Sequence, residues 1–186
     1  MHRLFDRLPV RGFVLLGAVL PVLVFLALPA SGQPAEVEIQ TVDVAEGVYM
    51  LVGQGGNLGV SAGADGVFLI DDQFAPLTAK IKAAIAGFSD QPIRFLVNTH
   101  WHFDHTGGNE NLGNEGVVIV AHDNVHQRLT AGGLIEFFKN QIPPAPKAAL
   151  PVITFADSVT FHLNGDQLHV FHVPPAHPDG DSVIHF

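Results

Sequence analysis

Three histidines and an aspartate lie within residues 100–105, a density that points to metal binding. Residues two apart in an extended chain point to the same side, so His100 and His102 can bind one ion together. If the chain then turns into the start of a helix, Asp104 and His105 come to lie beside that position. Imidazole nitrogen and carboxylate oxygen are ligand types that suit zinc and similar metals.

The alternative for this segment is a polar surface loop that happens to contain histidines. Two features favour a site: a buried-type strand is predicted directly before it, at 93–97, and Gly107 and Gly108 follow it. Glycines let backbone pass close to such a centre. The chain contains no cysteine, which excludes a thiolate ligand, a cysteine nucleophile, a disulfide framework and a lipid anchor through cysteine.

The elements that must position these residues read as a mixed α/β fold. Regular short strands joined by glycine turns predict an antiparallel meander, followed by alternation of helix and strand. Predicted strands cover 37–41, 48–52, 58–62, 67–70, 93–97 and 117–120; predicted helices cover 76–88 and 123–129; a proline-rich crossing loop or lid covers 140–151; and a hairpin pairs 155–163 with 167–173.

The N-terminus has the pattern of a secretory signal peptide over residues 1–32. Arg3, Arg7 and Arg11 precede an apolar run at 12–28, and small residues follow near position 30. A retained membrane anchor is the alternative, because the run is close to the length that spans a bilayer. Cleavage predicts a mature domain over 33–186 and a periplasmic or secreted protein.

The charge balance argues against nucleic acid as a partner. The net charge is −9, and losing the three Arg and one Asp of residues 1–32 makes it −11. Such a chain has no basic surface for phosphate backbones and no attraction to anionic membranes. A small-molecule substrate is therefore expected.

The histidine segment resembles the metallo-β-lactamase superfamily, whose signature is His-x-His-x-Asp-His at the end of a strand. Leu69-Ile70-Asp71-Asp72 is similar to the first motif of that family, and the segment at 175–182 is similar to its third. The resemblance covers nearly all of the mature chain. It implies an αββα sandwich, of which this chain supplies the first half and the start of the second.

The resemblance also implies a ligand set. His100, His102 and His177 would hold a first zinc, and Asp104 and His105 would contribute to a second. Asp104 would also orient the attacking water as the catalytic residue. For Asp71 two readings stay open: it fixes a ligand by a hydrogen bond, or it caps the following turn.

The implied reaction is hydrolysis, since zinc with an open position lowers the pKa of bound water towards ~7. Esters, thioesters, lactones and β-lactams are the expected substrates. The alternative is a metal-binding protein without catalysis. Trp101 and Phe103 are expected to pack behind the ligands, and the remaining histidines are expected to be ordinary surface or strand residues: His122 and His126 on one helix, and His162, His169 and His172 in the late hairpin.

The sequence departs from the family after the third motif. Complete members add a metal-bridging aspartate and a final histidine, whereas this sequence ends nine residues past His177. We therefore expect a C-terminally incomplete domain, with a partial second metal site and self-association through an exposed sheet.

Overall fold

The computed structural model describes residues 36–135, 139–174 and 177–186. The predicted signal peptide, 1–32, lies outside the described residues, as do Pro175 and Ala176 of the third motif. None of the helices in the described ranges has the length and apolar character needed to cross a bilayer.

Twelve strands and four α-helices make up the described part of the chain. The strands are β1 (Gln40–Ala45), β2 (Val48–Val52), β3 (Leu58–Gly63), β4 (Gly66–Ile70), β5 (Ile93–Asn98), β6 (Val118–His122), β7 (Gly133–Ile135), β8 (Asn140–Ile142), β9 (Ile153–Phe155), β10 (Ser158–Leu163), β11 (Asp166–His172) and β12 (Ser182–His185). The helices are α1 (Thr78–Ala86), α2 (Phe103–Thr106), α3 (Asn109–Asn114) and α4 (Asp123–Ala131).

The strands form one large sheet and two small ones. The large sheet has the order β1-β2-β3-β4-β5-β6-β9, antiparallel from β1 to β4 and parallel from β4 to β9. Strands β10, β11 and β12 form an antiparallel three-stranded sheet, and β7 pairs with β8. The predicted mixed α/β fold is confirmed.

The central strands are covered on both faces. In β4, Leu69 packs into a cluster with Ile81 of α1 and Leu112 of α3, whereas Phe68 packs with Leu168 of β11 on the opposite face. Strands β5 and β6 alternate in the same way. Burial on both faces explains why these strands read as continuous apolar runs.

A pair of turns ties the two larger sheets together. The backbone N–H of Asp65 donates to Oδ1 of Asn164 at 3.0 Å, and the N–H of Asn164 donates to Oδ2 of Asp65 at 2.8 Å. Asn164 has a φ of 57°, in the left-handed region that Asn tolerates. The link joins the β3–β4 turn to the β10–β11 turn.

Several predicted boundaries are wrong. The first strand lies at Gln40–Ala45 rather than at 37–41, and its six residues are all exposed, so burial gave it no readable pattern. The strand predicted at 155–163 is two strands, because the chain crosses from the large sheet at Phe155 to the small sheet at Ser158. The loop at 140–151 contains β8 and a 3₁₀ turn, Lys147–Ala149.

The topology brings the chemically important segments to one edge of the large sheet. Asp71 follows β4 and Thr99 follows β5, at the carboxyl ends of neighbouring parallel strands. The N–H of Ser182, at the start of β12, donates to the carbonyl of Thr99 at 2.9 Å. Ligand sites in sheets of this kind form outside the carboxyl ends of parallel strands.

Replacing Phe68 with Ala should lower the free energy of unfolding by about 3–5 kcal/mol, the usual cost of removing a buried phenyl ring. The Phe68 side chain is fully buried, and its ring lies edge-on to that of Phe161, with centroids 4.8 Å apart. Val152→Ala, at a position 72% exposed, is the control and should change stability by less than ~0.5 kcal/mol. Urea denaturation measures both, and equal effects would contradict the assignment of the core.

Candidate metal centre

Three imidazoles converge at this edge of the sheet. His100 and His102 follow β5, and His177 lies in the loop between β11 and β12. One ring nitrogen from each lies within 4.8 Å of the other two. The closest approach is 2.9 Å, between Nδ1 of His102 and Nε2 of His177. Three imidazole nitrogens this close together can supply three of the four ligands of a tetrahedral zinc site.

The electrostatics of the cluster suit a cation ligand set. Burial, followed by the neighbouring charges of His105, His102 and His177, lowers the pKa of His100 to about 3. Burial, followed by His177, also lowers the pKa of His102. The rings of His100 and His102 are therefore neutral at neutral pH, and their lone pairs are available to a metal. The residues present fit a bound zinc ion.

Asp104 and His105 lie beside the three-histidine cluster, on the short helix α2. Oδ2 of Asp104 is 3.7 Å from Nε2 of His105, and the rings of His100 and His105 have centroids 4.0 Å apart. Burial lowers the pKa of His105, but the hydrogen bond and charge of Asp71, with the charge of Asp104, outweigh it, so the net shift is upward. A carboxylate and an imidazole therefore lie together, next to the three-histidine cluster.

Asp71 is the buried anchor of the site. Its side chain is 3% exposed, and its φ of 61° turns the chain sharply after β4. Oδ1 accepts from the N–H of Thr99 at 2.7 Å, and Oδ2 lies 2.8 Å from Nδ1 of His105. A carboxylate only accepts, so Nδ1 of His105 donates and Nε2 is directed to the metal side. Of the two readings of Asp71, the structure favours the one in which it orients a ligand.

Thr99 links Asp71 to His100 and so orients the ring of His100 as well. Its Oγ1 donates to Oδ2 of Asp71 at 2.7 Å, so it can accept from Nδ1 of His100, 3.0 Å away. That arrangement leaves Nε2 of His100 free for a metal. One carboxylate therefore fixes the ring orientation of histidines at both positions, a role usual for the partners of metal ligands.

Glycines allow backbone to pass close to the site. A Cβ on Gly56, in the loop between β2 and β3, would lie 2.5 Å from Cε1 and 3.0 Å from Nε2 of His105. A Cβ on Gly108 would lie 2.9 Å from Cγ of Asp72, whose Oδ1 accepts from the N–H of Gly108 at 2.9 Å. Gly56 therefore lies directly against a histidine of the site, whereas Gly108 lies against Asp72, the neighbour of Asp71.

The loop that carries His177 is closed by Asp181. Oδ2 of Asp181 accepts from the N–H of His177 at 2.7 Å, and its carbonyl accepts from the N–H of Val173 at 3.0 Å. Nδ1 of His172 donates to the same carbonyl at 2.8 Å. These bonds hold residues 177–181, here called the His177 loop, beside the end of β11, with Nε2 of His177 close to Nδ1 of His102.

The other histidines lie elsewhere. Of the two histidines expected on one helix, only His126 lies within α4. His122 ends β6 and caps α4: its Nδ1 accepts from the N–H of Asn124 at 3.2 Å. Its ring stacks on that of His172 at 3.9 Å, and its Nε2 donates to the carbonyl of Ala156 at 2.9 Å. No second group of three metal-ligating side chains occurs in the described part of the chain.

Two supports of the site were absent from the sequence-based interpretation. Sequence reasoning misses Thr99, although a hydroxyl next to a histidine cluster is a signal for a hydrogen bond to it. It also misses Gly56, which lies in a glycine-rich turn at 53–57. Trp101 is 5% exposed and packs with Val125 and Leu129, as expected for a residue behind the ligands.

Comparisons with known proteins identify the family and support the fold. The model of the Metallo-beta-lactamase superfamily matches residues 53–186. A subclass B3 metallo-β-lactamase of Bradyrhizobium japonicum is 26% identical, with a TM-score of 0.65, over 78% of this chain and 55% of that one. Metallo-β-lactamases of Cronobacter sakazakii (21% identical) and Legionella gormanii (19%) share the fold, both with a TM-score of 0.67. They match over 78% and 82% of this chain, and the chain spans 56% and 59% of their lengths.

Asp71→Asn should weaken zinc binding by about 10- to 100-fold, because an amide cannot accept from all the donors that the carboxylate serves. Asp72→Asn is the matched control: it is a buried neighbour whose pKa burial raises well above its usual value, so the amide resembles its neutral form. Competition with a chromophoric chelator measures the affinity. Equal losses in the two variants would show that Asp71 acts only through stability.

Proposed function

Because this chain belongs to the metallo-β-lactamase superfamily, we propose that it is an exported zinc-dependent hydrolase of small molecules. The observation that carries the proposal is the cluster of His100, His102 and His177, with ligand nitrogens within 4.8 Å. Asp104 and His105 lie directly beside it. The expected bonds cleaved are those of esters, thioesters, lactones or β-lactams.

The residues divide into two metal positions. His100, His102 and His177 would hold a first zinc, and His105 with Asp104 would contribute to a second. When bound, zinc supplies a Lewis acid and a water that ionises near neutral pH. Asp71 and Thr99 keep the liganding nitrogens of His105 and His100 facing this space.

Asp104 is the residue proposed to handle protons. Its carboxylate is about one-third exposed and 3.7 Å from Nε2 of His105, so it faces both solvent and the site. There it can accept a proton from the attacking water at a carboxylate oxygen and deliver it to the leaving group. The hydroxide so formed attacks the carbonyl carbon, the bond to the leaving oxygen, sulfur or nitrogen breaks, and the proton held by Asp104 neutralises that atom.

Charge and export support a small-molecule substrate outside the cytoplasm. The chain carries a net charge of −9, which disfavours nucleic acid, and its N-terminus has the arginine-flanked apolar pattern of a signal peptide. β-Lactams are included because the proteins matched are metallo-β-lactamases. Self-association through an exposed sheet edge is part of the same proposal.

His102→Ala and His177→Ala should each abolish tight zinc binding, since each removes one of three converging nitrogens. His122→Ala is the control, because both nitrogens of His122 are bonded within the protein. Equilibrium dialysis with metal analysis gives the stoichiometry. If His122→Ala is as damaging as His102→Ala, the ligand assignment is wrong.

Asp104→Asn should reduce turnover by about 100-fold or more, the usual range for a group that transfers protons, with little loss of the first zinc. The assay is hydrolysis of chromogenic lactam, lactone, ester and thioester substrates, with zinc content measured in parallel. Activity that survives exhaustive chelation contradicts a zinc-dependent reaction. Zinc binding without turnover on the whole panel would instead support a metal-binding protein without catalysis.

A further inference from the structure

The three histidines reach the site from two separate segments, and helix α4 contacts both. His100 and His102 flank Trp101 in one segment, and His177 precedes Asp179 in the other. No single helix or strand contains both segments, which are far apart in the sequence. The bond from the N–H of Ser182 to the carbonyl of Thr99 joins the two segments at one end. Helix α4, which both segments touch, holds them near the histidines themselves.

The His177 loop is held on α4 at Asp179 and Gly180. Arg128 donates from Nε to Oδ1 of Asp179 at 2.7 Å and from Nη2 to Oδ2 at 2.8 Å, a two-point pairing. Nδ2 of Asn124 donates to the carbonyl of Asp179 at 2.6 Å. A Cβ on Gly180 would lie 2.9 Å from Cγ2 of Val125, so the loop backbone rests directly on the helix.

The segment with the other two histidines is held on α4 at Trp101. This side chain is buried and packs with Val125 and Leu129, both on α4. The guanidinium carbon of Arg128 lies 5.5 Å from the centroid of the Trp101 ring, within the range of a cation–π contact. The same guanidinium thus touches Trp101 and Asp179.

We propose that Arg128 is a positioning residue, which sets the distance of His177 from His100 and His102 by pairing with Asp179 while resting on Trp101. The inference rests on the proposed zinc site. Metal affinity then depends on Arg128, which is neither a metal ligand nor a hydrogen-bond partner of one.

Because the Arg128–Asp179 ion pair is exposed, its effect on metal binding can be distinguished from an effect on folding stability. The Arg128 and Asp179 side chains are 44% and 40% exposed. Exposed ion pairs contribute little to folding stability. Removing the pair should therefore leave unfolding of the metal-free protein nearly unchanged, while the His177 loop becomes free to move away from the other two ligands.

The test is a double-mutant cycle on metal affinity in the full chain. Arg128→Ala and Asp179→Ala should each weaken zinc binding by about three- to tenfold, less than the loss usual for a direct partner of a ligand. The double variant should be no worse than either single one, because both break the same contact. Arg128→Lys keeps the charge without the two-point pairing and should fall between wild type and Arg128→Ala.

A second readout and a control distinguish positioning from stability. The visible spectrum of the cobalt-substituted protein should change in Arg128→Ala, because one imidazole is held less firmly on the ion, while the urea midpoint of the metal-free protein stays at the wild-type value. Lys82→Ala removes another exposed ion pair, Lys82–Glu115, with side chains 42% and 49% exposed, and should change neither metal affinity nor spectrum.

The outcomes separate the two proposals. A wild-type chain that binds no zinc overturns the proposed function and this inference with it. If wild type binds zinc and His177→Ala does not, but Arg128→Ala and Asp179→Ala stay within about twofold of wild type, the inference alone is wrong. Additive losses in the double variant, or a lowered urea midpoint that accounts for the affinity loss, also overturn it.

Discussion

A carboxylate buried at the end of a strand must be given hydrogen-bond donors, and the site is arranged around how Asp71 meets that requirement. The donors are the N–H and hydroxyl of Thr99 and Nδ1 of His105. Meeting it turns Nε2 of His105, which lies 3.7 Å from Oδ2 of Asp104, and through Thr99 also Nε2 of His100, towards the site. The same bonds that make the buried charge tolerable therefore prepare two imidazoles to bind a cation, and ligand orientation and folding are not separate properties here.

The rest of the fold brings Asp71, Thr99 and His177 to the same site. Parallel pairing of β4 with β5 places Asp71 beside Thr99, and helices on one face and β11 on the other cover these strands. His177 comes from a distant segment, and its position depends on Asp181, which closes its loop, and on the contacts of the loop with α4. The site thus combines a locally determined half with a half that depends on tertiary packing.

This division also explains what the sequence could predict. The cluster at 100–105, the strands 48–52 and 93–98 and the β10–β11 hairpin follow from local spacing and apolar runs, which a linear reading detects. Strand β1 has no buried side to produce a pattern. Helix α3 has asparagine and glycine in four of its six positions, so its propensity is poor and packing must form it. The break between β9 and β10, the contact of Thr99 with Asp71 and that of Gly56 with His105 arise from approaches between distant segments. Neither spacing nor composition records these approaches.

The central claim is that His100, His102 and His177 bind a single metal ion. A crystal structure of the zinc-loaded chain, with diffraction data collected on both sides of the zinc absorption edge, tests it most directly because the anomalous signal locates the ion independently of the protein. The account predicts a peak about 2.0–2.1 Å from one nitrogen of each of the three rings. A peak at another place, such as the stacked rings of His122 and His172, or zinc held by only two of the three histidines, would contradict it.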